Sequence, residues 1–318
     1  MSKTNRKEIL FERFSNQLSI LKENGLISVE LKYDKTYICP LCLTQFSKDD
    51  LKIKKGSNYL TEEDAPPASL GGKRVALTCK KCNSECGHKI DYQLKELIKH
   101  EENSKYIKGT IQRGTVDFEG KPITVELTSE GNGKLIAKHD ETRNDPSVFM
   151  KFIKSVKRDV IMSFKTKKSK LDANKVNYAF LKTNYILTFG KFGYIFLLNK
   201  AYDSIREQIL NPDKEIVKFN LAISNPHLKD HLGTHYIVDS CIKAIFNIFK
   251  LKTTLTDKPY GAFLPIPIIT IENFVMEMEK RIVDHVAVFN KTIYDDKIDL
   301  FADIKEIKKI KKWTEEEK

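Results

Sequence analysis

The chain has 318 residues, of which 55 are Lys or Arg and 43 are Asp or Glu, giving a formal net charge of +12 and a pI near 9.2. At roughly 100 to 200 residues per domain, this length excludes a single small module and predicts two domains, and a content of 41% hydrophobic and 10% aromatic residues excludes global disorder. The basic excess points toward a polyanionic partner, because net charge governs association rather than fold.

MSKTNRKEILFERF scatters charges where a secretory signal would need an apolar core, so a cytoplasmic location is expected. The longest apolar runs, FGYIFLLN from Phe192 and FLPIPIITI from Phe263, fall well short of the roughly 18 residues that a membrane span requires. Between Lys7 and Asn24, the spacing of Leu10, Phe14, Leu18 and Leu21 predicts an amphipathic helix ended by Gly25. An extended stretch, ISVELKYDKTYI, leads into CPLC. Residues 45–73 are polar and turn-rich, with APPASLGGK reading as an ordered turn. After CKKC, the recurrence of Ile90, Leu94, Leu97 and Ile98 predicts a helix to about His100, which closes the first domain at residues 1–105.

Residues 106–318 form the second domain. Short β-prone runs separated by EGK and GNG predict a small antiparallel sheet. Pro146 opens a helical run with Phe149, Ile153, Val156, Val160 and Phe164 on one face and Lys151, Lys154 and Arg158 on another. Helices follow at Val176, Phe180 and Leu187, and at YDSIREQIL with Asp203 as N-cap. Strands are predicted at VKFNLAIS, HYIVDSCIKAIFNIF and GAFLPIPIITI, then a helix bearing Phe274, Met278 and Ile282. The charged tail KEIKKIKKWTEEEK is expected to fray. The fold class is therefore α+β.

Cys39 and Cys42 in CPLC and Cys79 and Cys82 in CKKC form two CxxC pairs. Each pair can place two thiolates on one side of a zinc ion, and together they close a tetrahedral shell. Such structural sites contribute on the order of 10 to 16 kcal/mol to the folding of small modules. A closed four-sulfur shell leaves no position for water, so this Zn2+ is structural and the chemistry must lie in what it positions. Cys86 and Cys241 fall outside the pairs and read as small core residues.

CPLC, the segment EEDAPPASLGGK from Glu62 to Lys73, and CKKCNSECGHKID from Cys79 to Asp91 together resemble the HNH endonucleases. These belong to the ββα-metal superfamily, and the likeness is to the subgroup stabilised by zinc on CxxC and CxxCN. The likeness runs from Ile38 to Leu97. It implies a treble-clef-like module in which a β-hairpin and the following helix clasp one catalytic Mg2+ or Mn2+. Carried over by position, it puts Glu63 on the acidic metal ligand, Asn83 on the helix residue that orients the hairpin, and Asp91 near the last ligand position. Asp64 stands where the family has its His base. Asp has a reference pKa near 3.9 and is a weaker base than imidazole at neutral pH. Three readings stay open: Asp64 is a second carboxylate on the metal, it is an unusual base, or the module has kept its fold and lost catalysis. On a helix turning about 100° per residue, His88 would lie about 140° from Asn83 and Asp91 about 80°, so His88 is a partial candidate for the missing imidazole.

APPASLGGK is either two simple turns or, as the resemblance implies, a hairpin loop in which Gly71 and Gly72 let a phosphate backbone approach and Lys73 and Arg74 add positive charge. Residues 151–175 carry a charge of +7, and Lys151, Lys154 and Arg158 could follow a phosphate backbone or form a solvated face. His227, His231 and His235 recur every four residues, but Pro226 and Gly233 make this a loop entering a strand. No P-loop, dinucleotide fingerprint or nucleophile elbow occurs. The expectation is a metal-dependent endonuclease acting on DNA rather than RNA, in a setting such as restriction or phage defence. The expected partners are DNA and either a regulatory protein or a second copy of the chain. The alternatives are a non-catalytic zinc-dependent nucleic-acid-binding protein on a decayed nuclease module, and a protein-interaction scaffold.

Overall fold

A computed structural model describes residues 6–53, 55–156, 163–166, 169–238, 242–280, 291–293 and 298–315. Helix α1 (Arg6–Glu23) buries Leu10, Phe11, Phe14, Leu18 and Leu21. It ends where Gly25, at φ +66°, lets the Leu26 and Gly25 amides donate to Leu21 O and Lys22 O, which satisfies the last carbonyls of the helix. Strands β1 (Tyr37–Ile38) and β2 (Gln45–Phe46) form a short hairpin around the first cysteine pair. A second hairpin pairs β3 (Leu60–Ala65) with β4 (Lys73–Cys79), and α2 (Lys80–Cys86) follows directly. One π-helical turn, Gly87–Asp91, joins α2 to α3 (Tyr92–Ser104).

The chain then forms β5 (Ile111–Phe118), β6 (Lys121–Gly131), β7 (Lys134–His139), α4 (Pro146–Ser155), β8 (Phe164–Thr166), α5 (Ala173–Phe192) and α6 (Asp203–Leu210). It continues through β9 (Ala222–Ser224), β10 (Gly233–Val238), β11 (Lys243–Lys252), β12 (Asp257–Pro265), α7 (Ile271–Glu279), β13 (Lys291–Ile293) and α8 (Ile304–Glu315). The four sheets are antiparallel. Two are the hairpins above, and the larger two run β7-β6-β5-β8 and β13-β10-β11-β12-β9.

The chain divides into two compact units, and the boundary differs from the expected 1–105 and 106–318. One unit draws on the described residues of Met1–Leu94, Asp172–Lys252 and Asp257–Lys318, the other on Lys95–Leu171 and Thr253–Thr256. The first is discontinuous because α5 packs both on the β3–β4 hairpin and on β11 and β12. Its core is aromatic. Phe14 stacks on Phe189 at 4.6 Å and meets Phe301 edge-on at 4.9 Å. Two tyrosine hydroxyls clip backbone to this core. Tyr37 Oη donates to Leu77 O and accepts from Leu77 N, and Tyr194 Oη does the same with Ile38.

The second unit is a meander whose turns, Glu119-Gly120 and Asn132-Gly133, hold both residues at positive φ, as tight two-residue hairpins require. Val116, Ile123 and Val125 pack against Val148, Phe149, Phe152 and Phe164. The helical run expected through Phe164 stops at Ser155. Val156 turns extended, and Phe164 reaches the same apolar cluster from β8. Ile153 and Val156, expected on the inner face, are exposed, while Val160 and Arg158 lie outside the described residues. The tail expected to fray forms α8, because Ile307 and Ile310 are buried and Trp313 packs edge-on to Tyr236 at 5.3 Å. Asp203 is the first residue of α6 rather than its cap, which is Tyr202. Among the described residues, no helix is long and apolar enough to cross a membrane.

Gln17 ties α1 to distant chain. Its Nε2 donates to Phe192 O at 3.0 Å and Leu300 O at 2.6 Å, and its Oε1 accepts from Tyr194 N at 2.8 Å. Gly193 passes so close that an added Cβ would sit 1.9 Å from Gln17 Oε1. Replacing Gln17 by Leu strands three buried backbone groups, so urea unfolding should show a loss of roughly 2 to 4 kcal/mol.

Candidate functional site

Four thiols converge. Cys39 and Cys42 come from the β1–β2 turn, where Cys39 N donates to Thr44 O, Leu43 N donates to Cys39 O and Leu43 adopts φ +57°. Cys79 ends β4 and caps α2, accepting from Cys82 N at 3.5 Å. All four sulfurs lie within 4.8 Å of one another. A tetrahedral zinc with Zn–S near 2.3 Å sets its sulfurs about 3.8 Å apart, and Cys42 Sγ lies 3.7 Å from Cys79 Sγ. The donor set and spacing fit a metal ion such as zinc. Backbone amides add to the fit, since Cys79 N lies 3.4 Å from Cys39 Sγ and a peptide N–H offsets thiolate charge.

The hairpin beside this cluster carries Glu62, Glu63 and Asp64 on β3. Successive strand residues point to opposite faces, so Glu63 turns inward and is buried, while Glu62 and Asp64 lie half-exposed on the other side. The register slips between Glu63 and Asp64, leaving Val75 of β4 unmatched as a bulge. Glu63 Oε2 accepts from Thr78 Oγ1 at 2.5 Å. Its Oε1 lies 2.7 Å from Lys182 Nζ, and Asp91 Oδ2 lies 2.6 Å from the same nitrogen. The side chains of Lys182 and Glu63 are only 3% and 4% exposed. Desolvation pushes the Lys182 pKa down, but the charges of Glu63 and Asp91 outweigh it and hold the group above the ordinary lysine value. Lys182 is therefore an ammonium at every working pH. Cys86, among the charges felt by this lysine, is buried and its thiol is pushed up to about 12, chiefly by desolvation.

Asn83 lies on α2 beside β3. Its Nδ2 donates to Thr61 Oγ1 and to Glu62 O, both at 3.0 Å, which locks α2 onto β3. Of the other expected site residues, Glu63 and Asp91 meet at Lys182, and Asp64 and His88 do not join them. Among the described residues, the four cysteines are the one set of three or more Cys, His, Asp or Glu with ligand atoms within 4.8 Å. Asp64 faces away from Glu63 because the two are neighbours on a strand. His88 is exposed, in a π-helical turn whose geometry departs from 100° per residue. That turn instead carries Asp91 inward to Lys182, leaving Asp91 Oδ1 buried with no hydrogen-bond partner. Burial raises the Asp64 pKa, although Arg74, Arg6 and Lys182 pull it down.

Lys182 was not anticipated from sequence, although a signal was present. It stands alone within VNYAFLKTNYILTFG on α5, where nearly every neighbour is buried, and a buried lysine demands anionic partners. The glycines serve the fold directly. A Cβ on Gly72 would lie 1.5 Å from Pro66 O, and Gly71 sits at φ +82°. Their amides donate to Pro67 O and Ala68 O, so neither is available to a phosphate. Lys73 and Arg74 are exposed, as are Lys151 and Lys154 on α4. His227 and His231 lie in a 3-10 turn and His235 in β10, with His235 Nε2 2.7 Å from His231 O. Cys241 lies outside the described residues.

Replacing Lys182 by Met should destabilise the fold by about 3 to 5 kcal/mol at neutral pH, because the buried Glu63 carboxylate and the half-buried Asp91 lose their counter-charge. The deficit is read by denaturant unfolding. Asp64→Asn should act in the opposite sense. A carboxyl whose folded pKa is raised disfavours the folded state while ionised, so the amide should stabilise at pH 7 and the gain should vanish below the unfolded pKa.

No known protein family, no curated protein and no solved structure matches the chain.

Proposed function

We propose that this is a zinc-dependent nucleic-acid-binding protein on an HNH-like ββα module that has no working nuclease centre, with DNA as its ligand. The observation that carries the reading is the Lys182 ammonium between Glu63 and Asp91. The two carboxylates that the resemblance assigns to a catalytic Mg2+ or Mn2+ already share a cation, and that cation is covalently part of α5. Displacing it would mean moving a buried charge out of a packed helix, at a cost of several kcal/mol. The imidazole that would activate water is missing from the hairpin, and His88 points to solvent.

Two properties favour nucleic acid as the ligand. The net charge is +12, and exposed bases stand on both units, at Lys73 and Arg74 on one and at Lys151 and Lys154 on the other. Thiolate zinc ligands also suit a reducing, cytoplasmic setting. Zinc would supply rigidity, holding the β1–β2 turn, the end of β4 and the start of α2 as one body.

A metal-dependent endonuclease is the second reading, and one geometric fact favours it. Glu63 from the hairpin and Asp91 from the helical segment converge on a single cation, the arrangement a divalent metal needs from its protein ligands. The raised pKa of Asp64 is also the direction a carboxylate base requires.

Supercoiled plasmid incubated with the native chain in Mg2+ or Mn2+ should remain uncut, while a labelled duplex binds with an affinity that falls steeply as salt rises. Stripping zinc with a strong chelator should abolish that binding and melt the module. Metal-dependent nicking by the native chain, lost in Glu63→Ala, would overturn the non-catalytic reading in favour of the nuclease.

A further inference from the structure

Three separate stretches of chain deliver exposed bases to the loop between β3 and β4. Arg6 opens α1, and its Nη2 donates to Arg74 O at 2.9 Å, which fixes the helix start beside the hairpin. Lys73 and Arg74 open β4. Lys252 ends β11, and its Cβ would lie 3.1 Å from a Cβ placed on Gly71, so its stem runs alongside the exposed glycine turn. Arg6, Lys73, Arg74 and Lys252 are all exposed. Arg74 spends part of its charge on Glu62 at 3.2 Å. Among the described residues, Lys73 and Lys252 have no ion-pair partner. All of these residues belong to one compact unit.

We propose that the phosphate backbone of bound DNA crosses this surface, with Arg6 and Lys252 flanking the Gly71 turn and Lys73 and Arg74 between them. The inference rests on the nucleic-acid reading above and deepens it, because it places the contact outside the segment that resembles the nucleases as well as within it. Three physical features combine. The turn is exposed and carries no side chain at Gly71, so a backbone can approach beside the Lys252 stem. Unpaired lysines keep their full charge for phosphate, where each neutralised phosphate adds about 0.9 to the slope of log affinity against log salt for duplex DNA. The hydrogen bond from Arg6 and the packing of Lys252 along Gly71 position two of the bases before ligand arrives, which lowers the ordering cost of binding. The loop amides are used internally, so recognition here is by charge and is indifferent to base sequence.

The test is a salt titration of a short labelled DNA duplex with the full zinc-loaded chain. It compares the native protein, a Lys73→Ala, Lys252→Ala double variant, and a Lys305→Ala, Lys308→Ala control on α8. Circular dichroism and zinc content check that each remains folded. The expected result is a salt slope reduced by about 2 in the first variant, near one per lysine, and unchanged in the control. Salt-dependent binding with the same slope in both variants as in the native chain would overturn this surface and leave the nucleic-acid reading standing. An equal loss in the two variants would also overturn it, since the charge would then act diffusely. No salt-dependent binding by the native chain would overturn both.

Discussion

A buried ammonium between two carboxylates organises this protein. Lys182 sits on a helix most of whose residues are buried, and its charge can be kept out of water only because Glu63 and Asp91 meet it at 2.7 and 2.6 Å. Each partner comes from a different element, one from the zinc-side hairpin and one from the π-helical turn that follows α2. Removing Lys182 leaves both carboxylates without their counter-charge, whereas removing either carboxylate leaves one ion pair. The arrangement therefore specifies how α5 docks on the hairpin, and through α5 it ties the cysteine-rich segment to the β11 and β12 strands.

The zinc-type cluster and the triad divide the labour. Four sulfurs fix the β1–β2 turn against the start of α2, which is a local matter of covalent reach and thiolate chemistry. Asn83 then fastens α2 to β3 by donating to Glu62 O and Thr61 Oγ1. Tyr37 and Tyr194 add two hydroxyl clips that register the β1 segment against β4 and against the chain after α5. The result is a discontinuous unit whose stability is shared between a metal-type cluster, an aromatic core and one internal ion pair network.

The same network bears on function. A hairpin and helix that offer two carboxylates to one cation are built for electrostatic clasping, and the identity of the cation decides what the site does. A hydrated divalent ion can exchange ligands, polarise phosphate and activate water. A lysine ammonium can do none of these from a buried position, because it has no open coordination site and its protons are already committed to carboxylate oxygens. Arg6, Lys73, Arg74 and Lys252 are exposed on the same unit.

Much of this was legible from residue types and spacing alone. The CxxC pairs specified the four-sulfur cluster because metal chemistry tolerates few alternatives. Apolar periodicity placed α1 and the helix after CKKC, and Gly-containing turns placed the β5–β7 meander, because these depend on local backbone preferences. The α+β class followed from them. What the tertiary structure decided is where neighbours in sequence part company. Glu63 and Asp64 look like a ligand pair in one dimension, but strand alternation sends them to opposite faces. His88 and Asp91 look like turns of one regular helix, but a π-helical turn changes their phase and sends Asp91 inward. Lysine pairs hid the apolar face of α8, and Phe164 reached its cluster from a strand rather than a helix. The partner of Glu63 lies more than a hundred residues away on α5, and no local rule names it. An ion pair is chosen by three-dimensional proximity and shared desolvation, which the order of residues along the chain does not encode by itself.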